Sequence, residues 1–467
     1  MKRPPRIDSE VRSEVRSEVR SEVRPGIKKH GRVDRTRRQL IQSAGAGIAA
    51  MAFPRLLLGG SADAVGREIK IGIIGPATGT LGAFGEGDEF VISHVRKALE
   101  PGIVVQGKRH PVHIIGKDSE SSRTRGTEVA ERLIKGDKVD LMLAASVSVT
   151  VNPVSDLCEH YGVPCITTDC PWQAYFFGRG GSPERGFDWT YHFFWGLEDV
   201  VEVFTNMWKS IPTNKVVAAL WPRDVDGLAY ADPEHGFPRP LEAKGFKLVD
   251  GGRFYSTMSD FSDLIRKFKE AQAEILTGTL TTDTFATFWK QALEQGFKPK
   301  IATVAKGLLF PSAVQTLGPQ AAGLTTEVWW SPSHPFKSGL TGQNTAELCA
   351  QYEEETGRQW TQPIGFRHAM FEIAIDVLKR TTNVDSPAAI RDAVKSTNYD
   401  SIVGHIAWTG SPVKNVTRTP LVGGQWFPGR EFKKWAHGRE FKYDLVIVNN
   451  ESAPSIGQQA KLRALPL

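Results

Sequence analysis

Cysteine is scarce in this sequence: 467 residues contain four, at positions 158, 165, 170 and 349. None has the close paired spacing of a zinc site, which argues against a metal centre. The three clustered cysteines are compatible with a disulfide in an oxidising compartment and equally with buried free thiols. Long apolar runs are also missing. The best, Ala44 to Leu58, is broken by Pro54 and Arg55 and is too short to span a bilayer. Catalytic signatures are absent as well: no G-x-x-x-x-G-K-[ST], H-E-x-x-H or G-x-S-x-G pattern occurs. The glycines at 79, 82, 85 and 87 do not reproduce the G-x-G-x-x-G spacing of a dinucleotide fingerprint. His94, His192 and His368 have no neighbouring nucleophile in sequence and read as structural histidines. The expectation is therefore a non-enzyme without cofactor or metal, although catalytic groups can converge from distant loops.

A basic surface is the last thing lacking, despite a formal charge of +6. Residues 1–64 hold 14 Lys/Arg against 7 Asp/Glu, a net +7 that leaves the remaining 403 residues at −1. A basic patch confined to a removable leader gives no reason to expect a nucleic-acid partner. That leader reads Ser-Glu-Val-Arg four times from Ser9 to Arg24, too brief and too charged for a solenoid. Thr36-Arg37-Arg38-Gln39-Leu40-Ile41 then resembles a twin-arginine motif, followed by the short apolar run and by small residues for cleavage at Ser61-Ala62-Asp63-Ala64. The competing reading is a basic amphipathic helix. An export signal places the mature chain in the periplasm.

What the chain does have is 40% hydrophobic and 24% charged residues, an ordinary globular balance, in a length that suits two domains. From Ile69 onward, short β-branched runs alternate with amphipathic stretches, the pattern of βαβ units and parallel sheets. Strands are expected at Ile69–Ile74, Val112–Lys117, Val139–Ala144 and Val163–Thr167, with helices near Asp88–Leu99, Arg125–Lys135 and Pro153–Tyr161. After the aromatic stretch Asp188–Trp195 the rhythm restarts, with a helix to Trp208 and strands at Lys215–Leu220, Phe246–Gly251 and Ala273–Thr279. Ligands of such sheets lie beyond the carboxyl ends of the strands.

Several segments resemble a known family. They are Ile71-Gly72-Ile73-Ile74-Gly75-Pro76 with Thr78-Gly79, Asn152-Pro153-Val154-Ser155-Asp156 leading to Tyr161-Gly162-Val163-Pro164, and Asp260-Phe261-Ser262. Gly404-His405-Ile406 and Val422-Gly423-Gly424-Gln425-Trp426 look like that family's closing hairpin. From about Ile69 to about Val448 the chain is similar to type I periplasmic solute-binding proteins of the branched-chain amino acid (leucine-binding-protein-like) ABC transporter class. The resemblance implies an α/β fold of two Rossmann-like lobes joined by three crossover segments, near Asp188–Trp195, Gly323–Pro332 and Thr397–Gly404. Lobe 1 would comprise 65–192 and 329–398, lobe 2 193–328 and 399–450, and a tail 451–467. It further implies a small organic ligand, ABC permease subunits as partners, and a monomer. A ligand sensor acting through a separate membrane receptor, or an exported enzyme, are the alternatives.

In the family, loops after two first-lobe strands hold a ligand carboxylate through hydroxyls and backbone N–H groups. The matching residues are Ser146 and Ser148 in one loop and Thr167, Thr168, Asp169 and Trp172 in the other. Helix capping is the plainer reading of such hydroxyls. Asp169 departs from the pattern, because a carboxylate there repels a ligand carboxylate. In the second lobe, Lys306 stands where the family's amino-acid binders have an acid, and Asp226 where the family has a tyrosine. A Lys306 facing the cleft would favour an anionic ligand, whereas one in solvent would not matter. Thr281, with Tyr191 and Trp195 near a crossing, completes the candidate set. Twelve tryptophans, among them Trp172, Trp195, Trp221, Trp329 and Trp330 at expected loops, offer stacking area. These features together lead to the expectation of an aromatic or organic carboxylate, with an amino-acid-like ligand as the alternative.

Overall fold

Short β-branched runs make the strands that define the architecture. The structure, a computed structural model, describes residues 64–431 and 440–466. The expected leader, residues 1–64 with its twin-arginine segment, lies outside these except for Ala64. Five strands open the first lobe: β1 (Ile69–Gly75), β2 (Val112–Asp118), β3 (Leu141–Ala145), β4 (Cys165–Thr168) and β5 (Thr190–Phe193). The second lobe follows with β6 (Val216–Pro222), β7 (Lys247–Phe254), β8 (Ile275–Leu280), β9 (Ile301–Lys306) and β10 (Thr325–Val328). Late in the chain come β11 (Val416–Thr417), β12 (Val422–Pro428) and β13 (Tyr443–Asn449).

The first sheet has the order β11-β5-β4-β3-β1-β2 and is wholly parallel. The second runs β7-β6-β8-β9-β10-β12-β13, parallel except at β12, which is antiparallel to both neighbours. Within each lobe the first five strands thus follow the doubly wound order 2-1-3-4-5, whose ligand crevice opens where the winding reverses. That point lies beyond β1 and β3 in the first lobe and beyond β6 and β8 in the second.

The parallel strands are buried on both faces, as near-continuous apolar runs require; every residue of β3 and β8 is buried. One apolar core runs from the first sheet through Phe193, Phe194 and Trp195 to the second sheet, and separate cores fill the outer faces of both sheets.

Four helices matter for the site: α1 (Asp88–Ala98), α2 (Val147–Tyr161), α3 (Val225–Tyr230) and α4 (Pro363–Arg380). Helix α2 starts six residues before the expected Pro153, which sits inside the helix rather than at its first turn. Proline suits a helix start, but it is tolerated within a helix where packing offsets the lost hydrogen bond.

The chain passes between the sheets between β5 and the helix Leu197–Lys209, after β10, and between β11 and β12. The first two passages fall in the expected segments. The third does not: Asn398–Ser401 pairs with Gly404–Ala407 as a separate hairpin, and β11 then joins the first sheet, so the crossing occurs at residues 418–421. The partner of β12 is likewise β13 and β10, not the Gly404 segment.

Candidate functional site

The loops at the carboxyl ends of the strands meet between the lobes. Among their non-glycine residues with left-handed backbone are Ser146 (φ 73), Val147 (φ 52), Asp169 (φ 66) and Lys306 (φ 68). Such conformations cost of order 1 kcal/mol or more each and cluster where function requires them. Val147, being β-branched, is the most strained. The turn into α2 is pinned by the Val147 N–H, which donates to the Asp169 carbonyl at 3.0 Å. At Lys306 the Gly307 N–H donates to the Ala305 carbonyl at 2.7 Å, a tight γ-turn that aims the side chain back over the strand ends.

Asp224 caps α3 by accepting from the Gly227 N–H at 2.7 Å. A Cβ at Gly227 would lie 2.1 Å from the Pro222 carbonyl oxygen, so glycine is what lets α3 start this close to β6. Asp226 in its first turn accepts from the Ser148 hydroxyl at 2.7 Å and from the Lys306 ammonium at 2.6 Å. Ser148 belongs to the first lobe and Asp226 to the second, so this bond joins the two points where the windings reverse. Asp224 stands 3.6 Å from the same ammonium. Burial pulls the Lys306 pKa down, but the two aspartates more than offset it and hold the group charged. Two further contacts close the lobes on each other: the Ser312 hydroxyl donates to Glu86 at 2.7 Å, and Phe310 meets Phe84 edge-on at 4.7 Å.

A second charge cluster lies behind the first-lobe loops. Arg367 on α4, fully buried, donates to Asp88 at 2.7 Å, to Asp169 Oδ2 at 3.0 Å and to the Ser146 hydroxyl at 2.6 Å. Gly75 makes room, since a Cβ there would lie 3.1 Å from both Arg367 and Asp88. Burial pushes Asp169 up to about 6 against the attraction of Arg367. Its other oxygen, Oδ1, is buried and has no hydrogen-bond partner among the described residues; the neighbouring Thr168 hydroxyl donates to the Phe193 carbonyl at 2.7 Å. On β10, burial pushes Glu327 up to about 7, with Thr326 and the Lys306 N–H as donors.

These groups and a set of aromatic rings line a small cavity of about 30 Å³, so a ligand larger than a water molecule enters only as the lobes part. Asp169, Cys170 and Val147 come from the first lobe, and Asp226, Tyr230, Thr279, Lys306 and Glu327 from the second. Phe84 also faces it, and Phe194, Trp195 and Trp329 reach it from the first two crossings. The indole N–H groups of Trp195 and Trp329 are buried without a partner among the described residues.

Of the expected site residues, the structure brings Asp169, Trp195, Asp226 and Lys306 to this cavity, with Ser146 and Ser148 bonded to its charged groups. The others lie elsewhere. Thr167 and Thr168 donate to carbonyls of β5 and tie adjacent strands together. Trp172 packs on Phe177 and donates to Glu198 at 2.9 Å. Thr281 precedes a helix and pairs with Thr284. Tyr191 lines a separate surface depression with Trp408 and Arg391. Lys306 faces the cavity, but its charge is committed to Asp226, which removes the reason to expect an anion there.

Sequence reading missed Arg367, Glu327, Phe84, Phe194 and Tyr230. Arg367 had a signal: with His368 and Glu372 it interrupts the apolar run from Pro363 to Ile375, and all three are buried.

The sequence model of the periplasmic binding protein family matches residues 68–426. The chain belongs to that family, whose members bind solutes. The solved leucine-binding protein LivK of Thermotoga maritima is 18% identical with a TM-score of 0.63, covering 82% of this chain and 99% of that one. An extracellular ligand-binding receptor of Rhodopseudomonas palustris HaA2 is 21% identical (TM-score 0.61; 81% and 99% covered). A solute-binding protein of an ABC transporter from Rhodopseudomonas palustris BisB5, in complex with 3,4-dihydroxybenzoic acid, is 18% identical (TM-score 0.60; 77% and 93% covered). At these identities the likeness establishes the fold.

Proposed function

We propose that this protein is the extracytoplasmic, non-catalytic solute-binding component of an ABC importer, acting as a monomer that closes two lobes over one small organic molecule. The observation that supports this most is the cavity itself. It forms where both windings reverse, draws its lining from both lobes and from the crossings, and is bridged by Ser148–Asp226. A ligand held there lends its binding energy to the closed form, and a permease pair that recognises the closed form receives a loaded protein. Export would place the chain in the periplasm, by the twin-arginine route if Arg37 and Arg38 act as read. The aromatic lining suits a compact apolar body, and the polar groups set its orientation.

A thermal-shift screen of the full chain tests this, against amino acids, amides, aromatic and aliphatic acids, and amines. A ligand at a hundred times its Kd adds about 2.7 kcal/mol of stability. Recovery of the bound compound unchanged after prolonged incubation is expected; its chemical conversion would instead identify an enzyme. If no compound stabilises the chain, the solute-binding reading fails.

A further inference from the structure

The charges around the cavity are arranged against an anion. Two cations, Lys306 and Arg367, stand beside four aspartates. Lys306 is 2.6 Å from Asp226 and 3.6 Å from Asp224; Arg367 is 2.7 Å from Asp88 and 3.0 Å from Asp169. Glu327 adds a fifth carboxyl group to the lining. Each cation is therefore outnumbered before any ligand enters. The start of α2 contributes at most about half a positive charge, too little to reverse the balance. A ligand carboxylate would meet the serine it needs, Ser148, already donating to Asp226.

The unpartnered groups complete the description of what fits. Among the described residues Asp169 Oδ1 is a buried acceptor without a donor, although Asp169 is only 3% exposed and lines the cavity. A buried carboxylate oxygen without a donor is costly, so the site gains most from a ligand that brings an N–H or a positive charge. The aromatic rings add a second attraction of the same sign, because the negative faces of Trp, Tyr and Phe favour cations. Phe194 lies 4.6 Å from Trp195 and 5.1 Å from Trp329, a three-ring wall at the crossings, with Phe84 and Tyr230 also lining the cavity. The indole N–H groups of Trp195 and Trp329, two residues that line the cavity, are likewise buried without an acceptor among the described residues.

We propose that the ligand is a small organic cation, an amine or N-alkylated ammonium compound, with its positive charge paired to Asp169 and its body against Phe194, Trp195 and Trp329. The inference rests on reading the cavity as the solute site, and it reverses the polarity of the first-lobe loop, which takes the positive end of the ligand instead of a carboxylate.

A set of probes of one shape and different charge tests it: benzylammonium, benzyl alcohol and benzoate, with choline as an N-alkylated member, titrated into the full chain at pH 8 and followed by melting temperature and calorimetry. The cations are expected to bind, at least about tenfold more tightly than the alcohol, with benzoate weakest; loss of one charge-assisted contact accounts for that factor. Asp169→Asn is expected to lower benzylammonium affinity by on the order of tenfold or more. Because Asp169 also partners Arg367, Glu327→Gln serves as the second variant and should weaken the cations without weakening benzyl alcohol. Benzoate binding as well as benzylammonium, equal affinity of the alcohol, or silence from both cations overturns the proposal. Stabilisation by an acid or neutral compound would overturn only the ligand class, leaving the solute-binding reading intact; stabilisation by nothing in the wider screen would sink both.

Discussion

Replacing Lys306 by methionine separates two roles for this residue, ligand anchor and structural counter-ion. The ammonium lies 2.6 Å from Asp226, with side chains only 10% and 7% exposed. Removing one partner of such a buried pair costs about 3–5 kcal/mol, because the other charge stays behind uncompensated. Ser148 still donates to Asp226 and softens the loss without supplying charge. At about 2 °C per kcal/mol for a large domain, the melting temperature of the unliganded chain should fall by roughly 6–10 °C. Asp226→Asn on top of Lys306→Met removes the stranded charge, so the double variant should recover most of the loss; the coupling is read from a double-mutant cycle. Calorimetry on the four proteins without added ligand is the assay. A single variant melting within 2 °C of the parent, yet binding ligand poorly, would refute the pairing argument and restore Lys306 as the ligand's anchor. Additive losses in the double variant would refute it too.

Two further outcomes follow from the site. Asp169, raised to about 6, and Glu327, raised to about 7, take up protons as pH falls, and each then loses its attraction for a cation. Arg367 and Asp88 flank Asp169, and the Lys306 N–H donates to Glu327 at 3.3 Å; the two cations stay charged throughout, and Asp88 is pushed up by burial against the pull of Arg367. Benzylammonium affinity should therefore be full at pH 8 and decline below pH 7, by up to about tenfold at pH 5 from Asp169 alone; a flat profile in calorimetric titrations would contradict the assignment. Tyr191→Ala and Thr281→Ala, both away from the cavity, should leave ligand affinity within about twofold, and a larger loss in either would mean that the cavity described is not the whole site.

The fold was legible because buried parallel strands leave a strong trace. Ile69–Ile74 and Ala273–Thr279 are mostly apolar or β-branched runs, interrupted by Lys70 and Gly72 in the first and by Glu274 and Gly278 in the second, and each of the seven expected strands lies within about three residues of its expected limits. Helix α2 was misread at its start because Pro153 mimics a first-turn proline, while Ser146 and Val147 enter the helix through a left-handed turn that carries no glycine to announce it. The third crossing was misplaced because β11 has only two residues, Val416 and Thr417, too few for any pattern. Within the site, Asp169 stood out as a charge in a loop of hydroxyls, but its partner Arg367 lies 198 residues later. The same limit applies to Lys306: sequence gives its charge and its loop, but not that Asp226, 80 residues away, neutralises it.

The aromatic wall has a mechanical consequence. Phe194 and Trp195 sit on the first passage between the lobes and Trp329 begins the second, so three of the rings facing the cavity belong to the pivot and not to the jaws. A molecule seated against them acts at the fulcrum, where a small change in its thickness alters the angle of both arms. On the proposed reading, the gap at the far rim would then become a gauge of what is held, open to a membrane partner that contacts both arms and never the cargo.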